Sequence, residues 1–184
     1  MRLLDSVNTI LRKLGEIEVP SLDEQYPTIP LALSAINEAR RRLLTKGWWF
    51  NTLHSWTALP APDGTVTLPS NCLIFYPDDP LYVFEGTVIV HEGNHDPIIG
   101  KPVVGKLIID KDFERLPETA AESVTYQAAY DTYLGDIGPD DTLTSIQLQL
   151  GDYLMQLSAE HTRSRKRNSK NKQPFSRWRR SLIT

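Results

Sequence analysis

The sequence contains a single cysteine, Cys72, among 184 residues. One thiol excludes an internal disulfide and a metal site built from several cysteines. Cys72 stands in the apolar stretch NCLIFY, and free cysteine is among the residue types most often buried in proteins. We therefore expect Cys72 to be a buried structural residue rather than a reactive nucleophile.

Long apolar runs are also lacking. No stretch approaches the roughly 18 apolar residues that span a bilayer, so no membrane partner is expected. The N-terminal segment MRLLDSVNTILRKLG does not resemble a secretory signal, because Asp5 and Asn8 interrupt its apolar residues and no small-residue cleavage site follows. The chain is therefore expected to stay in the compartment where it is made.

Acidic residues are absent from the C-terminal segment 161–184, which we call the basic arm. It carries nine Lys or Arg residues and a net charge of +9. Residues 1–160 hold all 23 acidic residues and 11 of the 20 basic ones, a net charge of −12. Because nine like charges repel one another, the arm is expected either to remain solvated or to dock on a negatively charged partner.

Four segments have apolar residues at helical spacing. The predicted helices cover about residues 3–14, 28–46, 117–134 and 140–162. Gly15 and Gly47 suit the ends of the first two helices, and Pro30 suits the first turn of the second. Residues 1–160 are therefore expected to form one folded domain in which the four helices share a bundle core.

Residues 48–112 interrupt the helical pattern with β-branched and aromatic residues separated by Pro, Gly and Asn, which predicts short strands. The predicted strands are WWFNTLHSWTAL, TVTLP, LIFY, LYVF, TVIV, PIIG and KLIID. The segment EGNHD, residues 92–96, is predicted as a hairpin turn between TVIV and PIIG. The fold class is therefore α+β: a four-helix bundle with an inserted β-rich extension and a C-terminal arm.

The segment His91-Glu92-Gly93-Asn94-His95 matches the H-E-x-x-H pattern of zinc proteases. That pattern binds zinc because residues four apart on a helix share a face, while the glutamate activates the bound water. Here the preceding TVIV favours a strand, Gly93-Asn94 favours a turn, and no third ligand is evident. We favour the turn and keep a zinc hydrolase as a third functional hypothesis.

Other enzymatic patterns are weak. The chain contains no Walker A loop and no G-x-G-x-x-G, and its acidic pairs at 78–79 and 140–141 fit turns and helix caps. The cluster Trp48-Trp49-Phe50 could be an aromatic ligand platform, although packing at a helix–strand junction is the favoured interpretation. We therefore predict neither an enzyme nor a cofactor.

The basic arm also contains apolar residues. Phe175, Trp178 and Leu182 are three and four residues apart, so they could share one face of a helix that begins after Pro174. Docking on a protein is the favoured interpretation. The alternatives are binding to nucleic acid, binding to an acidic membrane surface, and a solvated tail without a partner. The candidate contact residues are Arg163, Arg165, Lys166, Arg167, Phe175, Arg177, Trp178, Arg179, Arg180 and Leu182.

Several motifs occur in an order that is similar to that of a known family. The first helix ends at Gly15, the loop Val19-Pro20-Ser21-Leu22 follows, and Gly47-Trp48-Trp49-Phe50-Asn51 follows the second helix. LPSNCLIFYPDD and KDFERLPE come later. Over about residues 6–160 the sequence resembles the tail tubular protein A family, the head-to-tail adaptors of T7-like short-tailed phages.

The resemblance implies a virion protein of the neck or tail, made in the host cytoplasm. It implies a ring of twelve copies between the portal protein and a tail nozzle similar to tail tubular protein B. Double-stranded DNA would pass through this ring without specific binding. C-terminal segments would dock on the portal, and the β-rich part, with turn residues His91, Glu92, Asn94 and His95, would face the nozzle or a neighbouring copy.

Overall fold

The computed structural model describes residues 1–23 and 26–170, with residues 166–170 described only for their helical backbone. These residues form four α-helices, one 3-10 turn and six β-strands, which confirms the α+β class. The chain divides into two compact units. The first contains residues 1–36 and the chain from Pro117 onward, and the second contains residues 37–116.

All four predicted helices are present. They are α1 (Leu3–Lys13), α2 (Thr28–Leu44), α3 (Glu118–Asp136) and α4 (Asp141–Lys170), and the 3-10 turn covers Phe113–Arg115. The first three end within two residues of the prediction. Helix α4, however, continues eight residues beyond the predicted end, because the apolar stripe fades at His161 while Arg, Lys and Ser still permit helix propagation.

Hydrogen bonds fix the loop that follows α1. Gly15 has a φ of +77°, and the next amide, of Glu16, donates to the Leu11 carbonyl at 2.9 Å, which closes the helix. The Asn8 carboxamide then bonds both backbone groups of Val19, with Nδ2 donating to the carbonyl and Oδ1 accepting from the amide, each at 2.9 Å. One side chain therefore holds the loop against the helix that precedes it.

Helices α1, α3 and α4 pack together in the first unit. Buried Ser6 on α1 and Thr125 on α3 share a hydrogen bond of 3.0 Å between their hydroxyl groups. The remaining contacts are mainly apolar, as the helical spacing predicts. The buried apolar residues of these helices include Val7, Ile10, Leu11, Ala121, Val124, Ala128, Leu143, Ile146, Leu150 and Leu157.

Helices α3 and α4 run antiparallel, and a polar contact marks each end of the pair. At one end the Tyr133 hydroxyl donates to an Asp140 carboxylate oxygen at 2.6 Å, and at the other the Thr119 hydroxyl donates to Glu160 at 2.7 Å. Asp140 also caps α4 by accepting the Leu143 amide at 2.8 Å. The Tyr133 hydroxyl and this amide lower the pKa of Asp140, since both favour its charged form.

The second unit contains two antiparallel sheets. Its strands are β1 (Thr52–Ala58), β2 (Val66–Thr67), β3 (Cys72–Pro77), β4 (Tyr82–Glu85), β5 (Val88–His91) and β6 (Val103–Ile109). One sheet has the order β1-β6-β3 and the other the order β2-β5-β4. Residues from both sheets form one apolar core, which contains Ala58, Val66, Leu68, Phe75, Tyr82, Ile89, Val103 and Leu107.

The predicted hairpin between TVIV and PIIG is wrong. Strand β5 already pairs with β4 along one edge and with β2 along the other, so neither edge is open to PIIG. Ile98 instead forms an isolated bridge with Thr65. Residues 92–96 do form a turn, but the turn does not join two paired strands.

Asn51 organises the connection from α2 to β1. Its side chain is almost wholly buried, at 1% exposure. Oδ1 accepts the Trp48 amide at 2.8 Å, and Nδ2 donates to the Leu44 carbonyl at 2.9 Å and to the Ile109 carbonyl at 3.0 Å. Because residues 48–51 form this turn, β1 begins at Thr52 rather than at the predicted Trp48.

The remaining contacts of this junction are also specific. Trp48 is buried, and its indole Nε1 donates to the Leu43 carbonyl at 2.8 Å, which confirms the packing interpretation for this residue. Gly47 has a φ of +73°, and a Cβ there would lie 2.8 Å from Ile108 Cδ1. On α2, the Arg40 guanidinium forms an ion pair of 3.0 Å with Asp110, just after β6.

We predict that Asn51→Ala destabilises the protein by about 3 kcal/mol, because it removes the partner of one buried carbonyl, one part-buried carbonyl and one buried amide. Asn51→Asp should cost at least as much, since a carboxylate oxygen would replace the amide donor that faces both carbonyls. Urea unfolding measures both effects. Asn71→Ala, at an exposed position, is the control, and an Asn51→Ala midpoint equal to that of the control would contradict the prediction.

Candidate partner-binding surfaces

Helix α4 extends beyond the helix that it packs against. It has 30 residues and α3 has 19, or about 45 Å and about 28 Å at 1.5 Å per residue. Because Thr119, in the first turn of α3, contacts Glu160, residues 161–170 continue past the start of α3. We call this stretch of about 15 Å the α4 overhang.

The overhang carries five of the nine basic residues of the arm and no acidic residue. The side chains of Arg163 and Arg165 are exposed. Positive charge suits this position because the C-terminal end of a helix has a partial negative charge. The predicted contact residues Lys166 and Arg167 lie on its helical backbone. The others, Phe175, Arg177, Trp178, Arg179, Arg180 and Leu182, lie outside the described residues.

The charge of the α3–α4 pair is opposite to that of the overhang. Residues 118–162, which we call the acidic hairpin, contain eight acidic residues and no Lys or Arg. They are Glu118, Glu122, Asp131, Asp136, Asp140, Asp141, Asp152 and Glu160. The net charge of residues 1–160 hides this segment, which appears only when charge is counted over the predicted helices separately.

The negative charge of the hairpin affects the groups around Glu118. The N-terminal ammonium of Met1 lies 2.5 Å from a Glu118 carboxylate oxygen. Burial raises the pKa of Glu122, and the negative charge of Glu118 raises it further. Asp136, Asp141 and Asp152 are exposed, so the hairpin presents carboxylates to a partner.

The outer face of α4, opposite its buried stripe, is partly apolar. Leu148 and Met155 are seven residues apart on this face and are 68% and 71% exposed. Exposed Asp152 lies between them, and Asp141 falls on the same face at the first residue of the helix. We define the outer face as Asp141, Leu148, Asp152 and Met155. Two exposed apolar side chains beside two carboxylates are suited to a partner that is both basic and apolar.

A second candidate surface is the turn at residues 91–96. The His91 amide donates to the Asp96 carbonyl at 3.0 Å, and the His95 amide donates to the His91 carbonyl at 2.9 Å. His95 has a φ of +55°, which suits a turn and not a regular helix. The turn prediction is therefore confirmed, and Glu92, Asn94 and His95 are exposed there.

The geometry of this turn does not match the zinc-protease arrangement, which needs both histidines on one face of a helix. His95 Nδ1 lies 2.5 Å from a Glu85 carboxylate oxygen, and the His91 ring packs against Tyr82 with centroids 5.0 Å apart. Over residues 1–23 and 26–170, no cluster of three or more His, Cys, Asp or Glu side chains is placed to hold a metal ion. Cys72 is half-buried, and burial raises its pKa, which keeps it a thiol.

Within the described part of the chain, no helix combines the length and apolar character that a membrane span needs.

Comparisons with known proteins give a consistent result. Residues 4–167 match the model of the family described as tail tubular protein. The chain is also 33% identical over 179 residues to tail tubular protein A of Klebsiella phage KP34. That alignment covers 96% of this chain and 95% of the phage KP34 protein.

We predict that the turn at residues 91–96 does not bind zinc as an active-site metal would. Inductively coupled plasma analysis of protein purified without chelating resin should find far less than one zinc per chain. The variant carrying His91→Ala and His95→Ala is the control, and it should contain the same amount. Stoichiometric zinc that disappears in this variant would contradict the turn interpretation and restore the hydrolase hypothesis.

Proposed function

The chain belongs to the tail tubular protein family, and on that basis we propose that it is the head-to-tail adaptor of a short-tailed phage. Family membership makes it a structural protein of a bacteriophage tail, and its place is the virion. In the proposed role, twelve copies form a ring between the portal and a nozzle similar to tail tubular protein B. The protein would act by assembly rather than by catalysis, with no cofactor.

The observation that carries this proposal is the overhang at the end of α4. The helix is anchored along α3 up to Glu160 and then projects its basic end past that pair. A helix presented in this way directs its C-terminal end away from the α3–α4 pair. That arrangement suits an arm that reaches into another protein of the neck.

We propose that the end of the arm inserts into grooves of the portal protein. Phe175, Trp178 and Leu182 would be the apolar anchors, because large apolar side chains in pockets dominate most protein interfaces. The arginines around them would bind portal carboxylates, since the guanidinium group pairs well with carboxylates. The basic contact residues are Arg163, Arg165, Lys166, Arg167, Arg177, Arg179 and Arg180.

We further propose that all four helices form one bundle core from which the β-rich segment extends. Helix α2 supports this, since Ile29, Ala32 and Ile36 are buried on one stripe, each no more than 2% exposed. The β-rich segment would then face the nozzle or a neighbouring copy. The exposed turn that contains His91, Glu92, Asn94 and His95 is the proposed contact there.

The charge distribution also suits a conduit for DNA. Residues 1–160 have a net charge of −12, and a negatively charged ring repels the phosphate backbone instead of binding it. Double-stranded DNA would therefore pass without specific binding. The alternative function is nucleic-acid binding through the basic arm, which the five positive charges of the overhang favour.

We predict that Phe175→Ala with Trp178→Ala weakens binding to the portal by about 30-fold or more, the effect of losing a hot-spot contact of about 2 kcal/mol. Isothermal titration of the purified portal measures this affinity. Ser176→Ala, between the two anchors, is the matched control and should bind as the unmodified chain does. Equal affinity in all three proteins would refute arm docking.

The same three proteins test the alternative function, which is nucleic-acid binding by the basic arm. Fluorescence anisotropy with double-stranded DNA should show little binding at low salt if the arm is a protein-docking segment. Tight binding that weakens steeply with salt, combined with no affinity for the portal, would favour the nucleic-acid function.

A further inference from the structure

Opposite charges are separated along one continuous helical pair. The acidic hairpin, residues 118–162, has a net charge of −8, and the α4 overhang has a net charge of +5 over residues 161–170. We propose that the overhang of one copy packs along the outer face of α4 in a second copy, so that adjacent chains join head to tail. This contact joins neighbouring chains. It uses the cations of the overhang, which are also among the proposed portal contacts, whereas Phe175, Trp178 and Leu182 would dock on the portal alone.

The overhang cannot reach the outer face of its own helix. Residues 141–170 form a single α-helix without a break, so the overhang extends along the same axis and away from Asp141. The basic end and the acidic face therefore cannot neutralise each other within one chain. A second chain offers the same acidic face in a position that the overhang can reach.

The outer face also has the composition of a contact surface. Leu148 and Met155 are 68% and 71% exposed, which leaves two large apolar side chains in solvent. Exposed Asp152 lies between them, and exposed Asp141 lies on the same face toward the start of the helix. Burying the apolar pair would therefore bring carboxylates close to the incoming cations. Ion pairs fix which surfaces meet and in which direction, while the apolar contacts supply affinity.

A second copy is the occupant that the observations favour. The overhang and the outer face are two different surfaces of the same chain, so their contact is heterologous and repeats from copy to copy. Contacts of this kind close into a ring when the rotation between copies allows it. The proposed contact rests on the proposed function in one respect, because a ring places copies of the chain side by side.

A charge swap tests the contact in the full-length protein. Asp141→Lys with Asp152→Lys reverses the outer face, and Arg163→Glu with Lys166→Glu reverses the overhang. Each pair of substitutions should raise the dissociation constant of self-association by about tenfold or more. Sedimentation velocity at low salt measures this constant. The chain that carries all four substitutions should recover self-association, because the two reversed surfaces again have opposite charge.

The four-substitution chain also controls for folding, since damage to α4 from the Lys substitutions would persist there. Glu38→Lys with Glu114→Lys makes the same charge change at exposed positions of the second unit and should leave association unchanged. Zero-length carbodiimide cross-linking of mixed isotope-labelled and unlabelled chains should join residues 163–170 of one chain to residues 136–152 of another.

Three results would overturn the proposal: a chain that remains monomeric at low salt, association that neither reversal weakens, or no recovery in the four-substitution chain. Cross-links found only within one chain would also overturn it. Portal affinity of the outer-face variant, Asp141→Lys with Asp152→Lys, separates the two proposals, because neither residue belongs to the proposed portal contact. Lost self-association with intact portal binding in this variant supports both proposals. Recovery in the four-substitution chain, together with no portal binding by the unmodified chain, supports this contact alone.

Discussion

The hydrogen bonds of the Asn51 carboxamide are the constraint on which the second unit depends. They join the last turn of α2, the turn that follows it and the end of β6. Strand β6 is the central strand of its sheet and pairs with both β1 and β3. Holding its end therefore positions the strand with which both neighbours pair, and these three contacts need a buried side chain with both a donor and an acceptor.

The first unit combines an apolar core with a separation of acidic and basic residues along its helices. Apolar stripes hold α1, α3 and α4 together, and this leaves the charged residues on the outside. Along the α3–α4 pair, residues 118–160 carry eight acidic residues and no Lys or Arg, and the basic residues begin where α4 passes the start of α3. In the proposed ring, the basic overhang of one copy would attract the acidic face of the next, and the acidic residues would repel passing DNA.

Helical periodicity predicted the helices well because each buries a stripe, as Ile146 and Leu150 do on α4. Periodicity did not predict the helix beyond residue 162, because α4 continues there without an apolar stripe. The predicted hairpin between TVIV and PIIG was wrong because β5 pairs with β2 and β4, and local sequence does not show which strands pair in the folded chain. The contacts of Asn8 and Asn51 with distant backbone groups could not be predicted from spacing, although Asn51 lies in the motif Gly47–Asn51 that resembles the family. The charge of the acidic hairpin was present in the sequence and was missed.

The most direct test of the adaptor assignment is a cryo-electron microscopy reconstruction of the phage neck. The account predicts a ring of this chain between portal and nozzle, with Trp178 in a portal groove. It also predicts Arg163 of each copy against the outer face of the next. A neck without this chain, or a ring whose C-terminal arms point toward the nozzle, would contradict the account.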